Sequence, residues 1–158
     1  MIKFTVFGKP VPQGSSKAFY VKSLGRAVIT SDNKHLKPWR QQVTETAMSL
    51  QADAIPDDRP VEVILDFYFA RPKSAKKRVG MTVKPDIDKL IRAILDGIMG
   101  VLFRDDSQVV SVHARKHYAE QERVEICVDE FVVEDRTEGL ALKIVEASRP
   151  LFAEVVNS

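Results

Sequence analysis

Six apolar residues, Ile87, Leu90, Ile91, Ile94, Leu95 and Ile98, fall at i, i+3, i+4, i+7, i+8 and i+11. Only a helix puts all six on one stripe, and such a stripe must be covered by something equally apolar. The spacing therefore predicts an amphipathic helix over residues 87–98 lying on a core. Asp86 and Asp88 stand at its start and Gly97 and Gly100 near its end, as capping and the helix dipole prefer.

The rest of the chain supplies a sheet for that helix to cover. Residues 61–69 follow Pro60 and alternate apolar with polar, rich in aromatics, which reads as a strand. Residues 2–7 alternate in the same way. Residues 109–118 and 123–128 read as two more strands, expected to pair antiparallel across a turn near Glu120 and Gln121, with Cys127 a packed core thiol. Pro10, Pro12 and Gly14 make residues 8–16 a loop. Residues 18–21 and 27–30 read as a hairpin joined across 23–26. A second helix is expected over about 33–51, capped by Ser31 or Asp32, with Trp39, Val43, Ala47 and Leu50 at helical spacing. Residues 72–81 read as a long, basic loop without core-forming residues. This order predicts an α+β, two-layer sandwich: a mixed β-sheet with helices packed on one face. Residues 1–132 form one domain, and 133–158 an acidic C-terminal extension in which 140–147 reads as a short helix.

Composition excludes whole classes of function. At 158 residues, 44% hydrophobic and 29% charged, the chain is of ordinary globular make-up rather than disordered. Its apolar runs are far shorter than the roughly 18–20 residues a membrane helix needs. The first residues lack the apolar core of a secretory signal, and a lone Cys127 fits a reducing, cytoplasmic setting. The net charge of +2 hides a segregation: residues 1–50 carry +6, 51–70 carry −4, 71–92 carry +6 and 119–158 carry −6. A basic half of this kind attracts polyanions.

Four carboxylates interrupt this pattern. Asp86 and Asp88 sit in Lys84-Pro85-Asp86-Ile87-Asp88-Lys89, and Asp105 and Asp106 sit between Val101-Leu102-Phe103 and Val109-Val110. Hard divalent cations such as Mg²⁺ take carboxylate oxygens and keep several waters, so two or three carboxylates suffice. That chemistry suits phosphodiester hydrolysis, and the flanking basic residues suit a phosphate backbone. Each has a bland reading too. Asp86 and Asp88 can be first-turn acids, Asp88 can pair with Arg92 at i+4, and Asp105-Asp106 can be a turn. Asp106 reaches the helix start only if the connection doubles back, which Gly97 and Gly100 permit.

The run from Lys84 to Gly97, followed by Asp105-Asp106-Ser107-Gln108-Val109, resembles the signature of the RusA-type Holliday junction resolvases. Residues 8–14, Gly-Lys-Pro-Val-Pro-Gln-Gly, resemble that family's N-terminal strand and loop, and the resemblance spans roughly residues 1–130. It implies a small α+β homodimer, common in phages and prophages, that uses Mg²⁺ (Mn²⁺ able to substitute) to nick four-way DNA junctions symmetrically in recombination and repair. It makes Asp86, Asp88 and Asp106 the catalytic, metal-binding carboxylates. The family's essential lysine falls at Arg92, a departure, because a guanidinium keeps its charge but is a poor acid. Lys89, where the family often has asparagine, can supply an ammonium instead. Lys73, Lys76, Lys77, Arg78 and Lys84 are then the DNA-binding set. A non-catalytic junction- or duplex-binding module is the competing reading, and a nucleotide-sugar transferase site at Asp86-Ile87-Asp88 a third. His113 and His117 share a strand face too far apart to chelate as a pair.

Overall fold

A computed structural model describes residues 1–14, 16–31 and 33–132. The expected helix at 140–147, the acidic extension and the Asp32 cap lie outside the described residues.

Four strands form the main sheet: β1 (Ile2–Phe7), β4 (Val61–Ala70), β5 (Val109–Ala119) and β6 (Arg123–Glu130). Their spatial order is β1-β6-β4-β5. A separate antiparallel ribbon joins β2 (Ser16–Val21) to β3 (Arg26–Ser31). Two helices, α1 (Leu36–Ser49) and α2 (Ile87–Ile98), cover one face of the sheet, giving the expected α+β arrangement.

The alternation in β4 explains its central place. Val61, Val63, Leu65, Phe67 and Phe69 all point to the helices and are buried. Each such side chain stabilises the fold by about 1.5–3 kcal/mol relative to exposure. Phe4 and Val6 of β1, and Val124, Ile126 and Val128 of β6, extend the same face. From above, α1 contributes Leu36, Trp39, Val43 and Ala47, and α2 contributes Leu90, Ala93, Ile94 and Ile98. Ile91 and Leu95 pack at the margin, while Ile87 is exposed.

The pairing of the last two strands differs from the sequence expectation. β5 and β6 are not hydrogen-bonded to each other, because β4 lies between them, parallel to β5 and antiparallel to β6. The most apolar strand gains most from two neighbours, and residues 120–122 carry the chain over its end. There the Glu122 carboxylate accepts from the Ala70 N–H at 3.3 Å. β5 thereby becomes an edge, reached from β4 through α2 as a parallel pair requires. A bulge at Val110 interrupts its register, and Val110 and Val112 are exposed.

Smaller departures have local causes. Helix α1 begins at Leu36, with the Asn33 carbonyl accepting from Leu36 N and its side chain accepting from His35 N. It ends before Leu50, which turns outward as the chain reverses at Gln51 (φ 52°). Leu50 is thus no core residue. Cys127 lies on the sheet face away from the helices, beside Lys3 and Ile64, and is half-buried rather than in the core. Burial still pushes its thiol up. Gly97 is not a cap but an interior helix residue packed on α1. The basic loop also reaches the core through buried Ala75, with Met81 packed against it.

Candidate active site

Asp86 occupies the N-cap position of α2 in an extended conformation, yet its side chain makes no capping hydrogen bond. Its carboxylate instead lies 3.6 Å from the Lys89 ammonium. Asp88, in the first turn, is exposed and forms no ion pair with Arg92, which is exposed one turn further on. Asp88 is thus a first-turn acid and Asp86 a surface partner of Lys89, but neither the capping bond nor the Asp88–Arg92 pair forms. Two carboxylates stand at a helix start without holding the helix together.

The surroundings are basic and cross-linked by hydrogen bonds. Lys84 precedes the pair and is exposed, and the Lys84–Pro85 bond is cis. The N-terminal loop lies on the first turn of α2, where Gln13 N donates to the Lys89 carbonyl at 2.9 Å. Arg40 of α1 ties this loop to α2 by donating to both the Gln13 side chain and Asp96. Upstream, Arg71 donates to the carbonyls of Ala75 (3.0 Å) and Arg78 (2.7 Å), and its guanidinium sits 4.3 Å over the Tyr118 ring. The loop is thus folded around Arg71, and Lys73, Lys76, Lys77 and Arg78 are all exposed on it. Nothing in the order of residues marks Arg71 as the arginine that the loop wraps.

Asp105 and Asp106, adjacent in sequence, have different situations. Asp105 caps the 3-10 turn Asp106–Gln108 by accepting from Ser107 N at 2.9 Å. The Ser107 hydroxyl and N–H hold its carboxyl below the usual range. Asp106 is exposed within that turn. Buried Gln108 anchors the turn: its side-chain oxygen accepts from Arg104 N and Asp105 N, and its amide donates to the carbonyls of Pro56 and Arg59.

The structure does not bring Asp106 to Asp86 and Asp88 within one chain. The start of α2 lies against Lys116, near the end of β5, whereas Asp106 directly precedes the beginning of β5. The seven steps from Val109 to Lys116 span on the order of 23 Å of strand. Gly100 (φ 78°) turns the chain after α2, but it is β5 that returns toward the helix start, and Asp106 stands before that strand begins. Among the described residues no group of three or more His, Cys, Asp or Glu is gathered closely enough to hold a metal ion. The donor type itself fits a hard cation, because all three candidates are carboxylates.

The model of the endodeoxyribonuclease RusA family matches residues 8–129, a span that includes the N-terminal loop, both acidic motifs, β4, β5 and all but the last residue of β6. The chain belongs to the RusA endodeoxyribonuclease family. It is also similar to the uncharacterized protein YqaN of Bacillus subtilis, at 31% identity over 140 residues, covering 82% of this chain and 96% of YqaN. As a member of the RusA family it is a nuclease by descent, and its matched region coincides with the α+β layers described above. No helix among the described residues is long and apolar enough to cross a membrane.

Proposed function

We propose that this chain is a divalent-cation-dependent endonuclease that resolves four-way DNA junctions by paired symmetric nicks in recombination and repair. Mg²⁺ is its cation, with Mn²⁺ able to substitute, and it works as a homodimer. The observation that carries the reading is the pair Asp86 and Asp88, exposed at the start of α2, unused as caps and flanked by Lys84, Lys89 and Arg92. Asp86, Asp88 and Asp106 would hold the cation; when bound, it supplies Lewis acidity and an activated water for phosphodiester hydrolysis. Arg92 stays charged at any working pH and grips phosphate oxygens rather than passing a proton. Lys89 adds a second positive group, and Lys73, Lys76, Lys77, Arg78 and Lys84 track the backbone.

The separation of Asp106 from the other two carboxylates favours a site completed across the dimer. Among the described residues β5 is an edge strand, and no strand of theirs pairs with its outer main-chain groups. A two-fold axis pairing β5 antiparallel with its copy sets the Val109 end of one strand beside the Ala119 end of the other. Asp106 of one copy then approaches Asp86 and Asp88 of the other. Both sites form together, as paired nicks across a two-fold junction require.

The test incubates purified protein with an end-labelled four-way junction and with linear duplex, in Mg²⁺ and then in EDTA. Symmetric, ligatable nicks in the junction that need the cation support the reading. Tight junction binding without nicks under any divalent cation makes the chain a non-catalytic binding module instead.

A further inference from the structure

Lys116 belongs to the row of β5 side chains that face the helices, between Ala114 and Tyr118 and opposite buried Phe67. A lysine on an edge strand ordinarily sends its ammonium to water and guards the edge against pairing. Here the side chain turns inward and is half-buried. Its ammonium donates to the Val83 carbonyl at 2.9 Å and to the Pro85 carbonyl at 2.9 Å. These two carbonyls belong to the short segment that delivers the chain to Asp86. An ammonium carries three N–H groups, and among the described residues no acceptor takes the third.

We propose that Lys116 is a positioning residue of the Asp86–Asp88 site. It fixes the 83–85 segment, and so the direction in which both carboxylates leave the start of α2. Its charge also offsets the repulsion between two carboxylates two residues apart before a cation arrives. The inference rests on the reading that these carboxylates bind a divalent cation, and adds a residue from the other side of the layer to that site. The role is invisible in the sequence, where Lys116 is one basic residue in an alternating strand.

The experiment measures Mn²⁺ binding to the full, DNA-free chain by the paramagnetic resonance of free Mn²⁺. Alongside it run the Mn²⁺ dependence of junction nicking and junction affinity in EDTA. Lys116→Met keeps the length of the stem and removes both hydrogen bonds and the charge. It is expected to weaken Mn²⁺ binding, and to raise the Mn²⁺ needed for half-maximal nicking, by about tenfold, as loss of a group that orients ligands does. Lys116→Arg recovers most of that loss, and junction affinity in EDTA stays within about twofold, since phosphate contacts do not depend on ligand orientation. Should Lys116→Met not fold, Lys116→Gln, which keeps a donor and loses the charge, is expected to weaken Mn²⁺ binding in the same direction. Mn²⁺ affinity equal to wild type in either variant, while the wild type binds Mn²⁺ and nicks, overturns the role of Lys116 alone. A wild type that neither binds Mn²⁺ nor nicks overturns the metal-nuclease reading as well.

Discussion

Gly97 of α2 lies so close to Val43 of α1 that a methyl group on it would come within 2.9 Å of Val43 Cγ1 and 3.1 Å of its Cβ. The Thr44 hydroxyl donates to the Gly97 carbonyl at 2.6 Å at the same crossing. The absence of a side chain at this position thus sets how near the two helices approach, and with it the seat of α2 on the sheet.

Gly97→Ala is accordingly expected to destabilise the fold. Overpacking costs about 1–3 kcal/mol, against a gain of about 1 kcal/mol from alanine's helix propensity. A net loss of up to about 2 kcal/mol in urea unfolding is predicted, largely recovered in the Gly97→Ala/Val43→Ala pair. A stabilised Gly97→Ala single variant would show that the helices are free to separate.

Gln108 supports the opposite end of the layer. It is the buried polar residue among those described, and it serves four main-chain groups, at Arg104, Asp105, Pro56 and Arg59. Gln108→Leu fills the space but strands these groups, at a cost of about 2–4 kcal/mol. Chemical denaturation reads this directly; a loss below about 0.5 kcal/mol, the range of a neutral surface change, would mean that water replaces the amide without penalty.

The basic loop is predicted to act on affinity and not on chemistry. Changing Lys76, Lys77 and Arg78 together to alanine removes three exposed charges. Junction binding in EDTA should weaken, and the slope of log affinity against log salt should fall by roughly 2–3, near 0.9 per lost phosphate contact. An unaltered slope would take the loop out of the interface.

Local patterns in the sequence were enough for most elements. The stripe from Ile87 to Ile98 and the alternation from Val61 to Phe69 each depend only on near neighbours, so period and burial agree. Strand partners do not. That β4 separates β5 from β6 follows from which strand buries most apolar surface on both flanks, a property of the assembled sheet. Cys127 was misplaced for a related reason: a period of two gives alternation, but not which row faces the helices. At the candidate site, Asp86 and Asp88 were legible because two acids at a helix start stand out. Lys116 and Arg71 were not, because their partners are main-chain carbonyls, which no side-chain pattern reports. The distance between Asp106 and the helix start was likewise hidden, since the sequence does not tell that Asp106 precedes the strand that makes the return.

The central claim is that Asp86, Asp88 and Asp106 act in one site built from two copies of the chain. Asp86→Asn, Asp88→Asn and Asp106→Asn should each abolish nicking, leave junction binding in EDTA largely intact and change stability by less than about 0.5 kcal/mol, because none of these carboxylates holds the fold. The decisive measurement mixes Asp86→Asn with Asp106→Asn in equal amounts, lets subunits exchange, and assays junction nicking. A shared site predicts recovery: random assortment makes about half the dimers mixed, each with one intact site, so roughly a quarter of wild-type nicking returns, as single nicks. A mixture that exchanges subunits and stays inactive, or full activity in any one of the three single variants, would contradict the account.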